Sequence, residues 1–111
     1  MSFKTNTSDF IAKIDFLPTS KGGRKTFANS GYRPQIKFAF SKMMTTGEQI
    51  FIEQDFVEPG QSVTAKVKIL SPDFYKNKLE TGMSFQIMEG KQIIAKGELL
   101  KILNKDLIKT I

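Results

Sequence analysis

Residues 63–69 read VTAKVKI, and apolar and polar side chains alternate along this stretch. Successive side chains of a β-strand point to opposite faces, so a period of two predicts a strand with one buried face. The opposite face, which carries threonine and lysine, is then left in water, as an antiparallel sheet allows. The apolar face consists of Val63, Ala65, Val67 and Ile69.

The same pattern predicts five further strands, at residues 10–16, 36–40, 50–52, 83–88 and 92–103. In the second of these, Ile36, Phe38 and Phe40 are predicted to share one face. Turn residues separate the segments, most clearly at Pro59-Gly60 and Gly90. Six short strands without a convincing helix predict an all-β fold, either a small antiparallel barrel or a sandwich. A barrel is plausible because closure of the sheet removes its exposed edges.

The 111 residues fall in the range of a single domain. We predict a flexible N-terminus at residues 1–8, one β-barrel domain at 9–104 and a C-terminal tail at 105–111. The tail is expected to fray unless Leu107, Ile108 and Ile111 dock on the body. Residues 71–82 are predicted to form a long loop, although they could hold a single helical turn.

The composition excludes several classes of protein. Neither histidine nor cysteine occurs, which removes the commonest general base, the usual zinc ligands and the thiol nucleophile. The segment GGRKT lacks the glycine spacing and the following helix of a phosphate-binding loop, so no bound nucleotide is expected. The sequence therefore predicts a protein that is not an enzyme and that carries no cofactor and no metal.

The chain also lacks features of a membrane or secreted protein. No window approaches the ~20 apolar residues of a membrane span, and the first residues do not resemble a signal peptide. A cytoplasmic location without a membrane partner is therefore expected. The 17 basic and 11 acidic residues give a net charge of +6, which suits a polyanionic partner such as nucleic acid. Ordinary surface lysine, which keeps small domains soluble, explains the same charge.

Residues 22–35 read GGRKTFANSGYRPQ and form the most unusual loop of the chain. Glycine, asparagine, serine and proline are typical of a connection. The loop also gathers hydrogen-bond donors, which makes it a candidate binding surface. These donors are Arg24, Lys25, Tyr32, Arg33 and Gln35.

Five motifs occur in a fixed order: GGRKT at 22–26, GYRPQ at 31–35, TG at 46–47, EPG at 58–60 and GMSFQIMEG at 82–90. In this order they closely resemble the C-terminal β-barrel, the third domain, of elongation factor Tu. The resemblance runs from about residue 10 to residue 103 and implies a six-stranded antiparallel barrel. The family's other two domains, including the GTPase, have no counterpart in these residues, so the resemblance is to the third domain occurring by itself.

In elongation factor Tu this barrel contacts the T-stem backbone of aminoacyl-tRNA and packs against the GTPase domain and the exchange factor. The resemblance therefore implies a set of tRNA-binding positions, with Tyr32 and Arg33 supporting the loop. The implied tRNA-binding residues are Arg24, Lys25, Gln35, Thr46, Glu89 and Gly90. Cationic and amide donors suit phosphate and 2′-OH groups on an A-form stem.

Two functions follow as hypotheses. The first is a non-enzymatic, translation-factor-like binding module that contacts the T-stem or acceptor backbone of tRNA. The alternative is a protein-interaction module that binds a GTPase domain, an exchange factor or another protein partner. Methionines can serve as adaptable contacts in such an interface, or they can simply pack in the core and turns. The methionines concerned are Met43, Met44, Met83 and Met88.

Overall fold

A computed structural model describes residues 8–110. The predicted flexible N-terminus, residues 1–8, lies outside the described residues except for Ser8, and Ile111 lies outside them too. The described part of the chain forms eight β-strands and three short 3₁₀-helices. The strands are β1 Phe10–Phe16, β2 Ala28–Asn29, β3 Gln35–Phe38, β4 Met44–Phe51, β5 Phe56–Val57, β6 Ser62–Ile69, β7 Ser84–Glu89 and β8 Gln92–Ile102.

Six of the strands close into a barrel in the order β1-β6-β4-β3-β7-β8, with β8 pairing back to β1. Every pair within the barrel is antiparallel. The predicted six-stranded antiparallel barrel is therefore confirmed, and the sandwich alternative is excluded. The remaining two strands, β2 and β5, form a separate antiparallel pair that the sequence analysis did not predict.

The barrel interior is built by the alternation that the sequence shows. The face of β6 that begins with Val63 is buried, as is the face of β1 that carries Phe10, Ala12 and Ile14. The Phe10 ring of β1 meets the Phe38 ring of β3, across the barrel, edge to face with centroids 6.3 Å apart. Because side chains from opposite walls meet in the middle, the barrel is a packed core without a channel.

One predicted strand was placed wrongly, because its inward face is polar. The strand expected at 50–52 is the eight-residue β4, which starts at Met44. Its buried residues before Phe51 are Thr45, Gly47 and Gln49, so no apolar alternation marks it. Gly47 leaves room for Ile36, whose Cδ1 lies 2.2 Å from the position that a Cβ would take. Both side-chain polar atoms of Gln49 are buried without a hydrogen-bond partner among the described residues.

The prediction for Phe40 was also wrong. Strand β3 ends at Phe38, so Phe40 does not continue its inward face and is 44% exposed. Its ring instead stacks on that of Phe38, with centroids 5.5 Å apart. The chain turns here because the Ser41 N–H donates back to the carbonyl oxygen of Phe38.

One end of the barrel, here called the closed end, is covered by two segments outside the strands. The loop at 71–82 contains a 3₁₀-helix, Pro72–Tyr75, and its Tyr75 is buried against the core. A second 3₁₀-helix, Lys105–Leu107, buries Leu107 completely. The two segments are joined because the Leu79 N–H donates to the Leu107 carbonyl over 2.8 Å. Leu107 thus docks on the body, which was one of the two possibilities for the C-terminal residues.

Candidate functional site

The opposite end, here called the loop end, is shaped by the chain after β1. A 3₁₀-helix, Thr19–Lys21, is followed by Gly22 in a left-handed conformation with φ of 93°. Gly23 then passes so close to the preceding turn that a Cβ would lie 2.0 Å from the carbonyl oxygen of Leu17. Its N–H donates to the Pro18 carbonyl over 3.0 Å. Gly22 is thus required by its left-handed conformation, and Gly23 by its close approach to the preceding turn. Together the two glycines set the direction of Arg24.

Arg24 is the centre of the loop end. Its guanidinium donates to the Glu89 carboxylate, to the Tyr32 hydroxyl over 3.2 Å and to the Phe27 carbonyl over 3.2 Å. The guanidinium carbon lies 4.8 Å from the centre of the Tyr32 ring, which adds a cation–π contact. The Tyr32 hydroxyl in turn donates to Glu89. A triad of Arg24, Tyr32 and Glu89 thus joins the loop after β1 to the end of β7.

The triad shifts the pKa values of two of its members. Partial burial works to lower the pKa of Arg24, but the Tyr32 hydroxyl and the Glu89 carboxylate outweigh it and the pKa is raised. Burial, reinforced by the hydrogen bond to Glu89, raises the pKa of Tyr32 well above its ordinary value. Tyr32 therefore keeps its proton at physiological pH and remains a donor to Glu89, and Arg24 remains a cation.

Two more of the implied positions lie side by side on the barrel wall. Gln35 of β3 faces Thr46 of β4 in register, and its Nε2 donates to the Thr46 hydroxyl over 3.0 Å. On the other side Gln35 is paired with Met88 of β7, which directly precedes Glu89. The amide–hydroxyl pair and the triad are therefore connected through the last residues of β7.

Gly90, Lys25 and Arg33 occupy three different settings. Gly90 turns the chain from β7 to β8 with φ of 61°. Lys25 is exposed, and its ammonium makes no hydrogen bond or ion pair with the residues that the structure describes. Arg33 reaches away from the triad and donates to Glu48 of β4 over 2.9 and 3.1 Å. The structure thus groups Arg24, Tyr32 and Glu89, and it leaves Arg33 outside that group.

Two features beside these positions were not predicted from the sequence. Phe27 and Phe56 are each 48% exposed, and their rings meet at 5.4 Å next to Arg24. Lys37 lies two residues after Gln35 on the same outward face of β3. The period of two could have identified Lys37, since it shares the parity of Gln35. The pairing of Phe27 with Phe56 had no such signal, because it depends on the contact between β2 and β5.

Between residues 8 and 110, no group of three or more acidic, histidine or cysteine side chains is placed to hold a metal ion. Over the same residues, no helix has the length and apolar character needed to cross a membrane.

A closed six-stranded antiparallel barrel with Arg24, Tyr32 and Glu89 joined at one end defines a small all-β barrel domain. The family described as "Elongation factor Tu C-terminal domain" matches residues 3–103. The chain belongs to this family, and it is a translation-factor-like module. The resemblance seen in the sequence motifs is thereby confirmed. The family's domain is the non-catalytic part of a translation factor.

Proposed function

We propose that this protein binds tRNA in the cytoplasm and contacts the sugar-phosphate backbone of the T-stem or acceptor stem. The observation that carries the proposal is the Arg24–Tyr32–Glu89 triad. It unites motif positions that are 65 residues apart in sequence, and it does so on the surface beside the free ammonium of Lys25. Membership of the family supports the same function.

Each group has a distinct part in this proposal. Lys25 supplies an unpaired cation for a phosphate oxygen, since phosphate contacts position a protein on a helix. The charge of Arg24 is partly compensated by Glu89, and its N–H groups already donate to Glu89, Tyr32, Thr26 and Phe27. Arg24 therefore chiefly holds the loop in place beside Lys25. Gln35 and Thr46 offer an amide and a hydroxyl to the 2′-OH groups that line the shallow groove of A-form RNA.

Few phosphate contacts mean weak binding with a shallow dependence on salt. Each lost phosphate contact lowers the affinity and flattens the dependence of binding on salt by about one unit of the logarithmic slope. We therefore expect a dissociation constant for tRNA of about 1 μM or weaker, with a shallow decline in affinity between low and moderate salt.

The test compares tRNA with a DNA duplex of similar charge at both salt concentrations. The variant Arg24→Ala/Lys25→Ala is expected to weaken tRNA binding about tenfold or more and to lower the salt slope. The matched control is Lys101→Ala/Lys105→Ala, which removes the same charge at the closed end and should bind almost as the parent does. Equal binding to tRNA and DNA, or an equal loss of affinity in both variants, would mean that binding depends only on general positive charge. Either result would contradict the proposal.

A second candidate function is binding to a protein partner, and the closed end supports it. Exposed apolar side chains collect around the loop after β3 and the 3₁₀-helix at 72–75. Phe40 contacts Tyr75 with ring centres 6.2 Å apart, and Phe74 is the next residue along the helix. Exposed apolar groups gathered in this way are typical of an interaction site. The group consists of Phe40 (44% exposed), Met43 (45%), Met44 (42%), Leu70 (64%) and Phe74 (61%).

This candidate is tested with the isolated GTPase domain of an elongation factor Tu as the probe. If the closed end binds it, Met43→Ser/Phe74→Ser should weaken the complex about tenfold, because two apolar contacts are lost. Ile50→Ser is the matched control, since Ile50 is 43% exposed but lies on the barrel wall. Failure of the parent protein to bind at micromolar concentration would reject this partner.

A further inference from the structure

Two half-exposed phenyl rings stand on the outer face of the small β2–β5 sheet. In this sheet Ala28 pairs with Val57, and both are buried. Because side chains alternate across a strand, the neighbouring Phe27 and Phe56 project to the other face. Their rings touch edge to face at 67°, and each leaves 48% of its surface in water. We call this pair the aromatic shelf.

The shelf is tied to the cationic loop. The Arg24 guanidinium donates to the backbone carbonyl of Phe27 over 3.2 Å, so the residue that carries the first ring of the shelf is held beside that cation. Lys25, the second cation of the loop, is only two residues before Phe27. Aromatic rings next to backbone-binding cations form the arrangement that binds unpaired nucleotides, because every base has a face that can stack.

We propose that the aromatic shelf stacks an unpaired nucleotide of the bound RNA, while Arg24 holds the shelf in place and Lys25 contacts an adjoining phosphate. This inference rests on the proposed RNA-binding function and adds to it a preference for RNA with a single-stranded segment next to a helix. A wholly paired stem has no free base face to stack on the shelf, so such a stem is bound through the cationic loop alone.

The charges around the shelf set its orientation. Asp55 and Glu58 flank β5, and both are exposed. A phosphate near these carboxylates is repelled, so the backbone of the unpaired nucleotide lies on the Arg24 side and the base lies over the rings. Glu58→Gln removes one repelling charge and should tighten binding of the single-stranded segment.

The experiment uses two probes, a short blunt RNA duplex and the same duplex with a single-stranded uridine extension. The parent protein should bind the extended duplex about tenfold more tightly, the gain expected from one stacked base. Phe27→Leu and Phe56→Leu keep apolar packing but remove the aromatic face, so either change should abolish this preference and leave blunt-duplex binding unchanged. Ile50→Leu, on the barrel wall, should keep the full preference.

A second readout separates stacking from a change in folding. A 2-aminopurine base in the extension loses fluorescence on stacking, and its quenching by the parent should be absent in Phe27→Leu. Lys25→Ala, which leaves the contact between Arg24 and the Phe27 carbonyl in place, should weaken both probes by the same factor. Equal binding of both probes by the parent would overturn the shelf and leave the tRNA proposal standing. The uridine extension without the duplex is a control probe: if it bound as tightly as the extended duplex, the shelf would be supported and the stem-binding function overturned.

Discussion

Replacing Gly23 by alanine is expected to lower the free energy of unfolding by about 3 kcal/mol or more. The added Cβ would lie 2.0 Å from the Leu17 carbonyl oxygen and 2.9 Å from that of Pro18. Both are backbone atoms, so a rotamer change cannot relieve the clash and the loop must move. Since Gly23 directly precedes Arg24, the same movement should dismantle the triad and with it RNA binding. Urea unfolding and a tRNA titration measure the two effects.

The neighbouring Gly22 provides the control for this prediction. It has φ of 93°, and a Cβ there would meet nothing within 4 Å. Gly22→Ala therefore costs only the strain of a left-handed alanine, about 1–2 kcal/mol. If the two variants were equally stable, the close approach at Gly23 would not be a determinant of the loop. If Gly23→Ala kept full tRNA affinity, the position of Arg24 would not matter for binding.

The second large effect is expected at the closed end. Leu107 is completely buried although it lies only four residues from the end of the printed sequence. Leu107→Ala should lower the free energy of unfolding by about 2–5 kcal/mol, the range for truncating a buried leucine. The loss should extend to the loop at 71–82, because the N–H groups of Lys78 and Leu79 donate to the Leu107 carbonyl.

Ile108 is the matched control because it is the next residue and is 37% exposed. Ile108→Ala should cost clearly less than Leu107→Ala, about 1 kcal/mol, since part of the Ile108 side chain is already in water. Amide hydrogen exchange in the two variants would show which part of the protein loses stability. Faster exchange at Leu79 is expected only in Leu107→Ala. Equal stability of Leu107→Ala and the parent would show that residues 105–110 behave as a tail, outside the folded domain.

The site was predictable in part because its motifs are local. GGRKT and GYRPQ are visible in the sequence, and their residues do form the loop end and the start of β3. That Arg24 is paired with Glu89 was not predictable from the residues, because the pairing needs the register of β7 and β8 and the path of the loop. The structure therefore changes the expected part of Arg24 from a free cation to an anchored one, and it leaves Lys25 as the free charge.

The sequence by itself determined the barrel wherever apolar and polar residues alternate, as in β1 and β6, because burial of one face is read directly from a period of two. It did not determine β4, whose inward Thr45, Gly47 and Gln49 carry no apolar signal. It also left open the β2–β5 sheet and the burial of Leu107. The tertiary structure decided these features, because each depends on partners that are distant in sequence and that only closure of the barrel brings together.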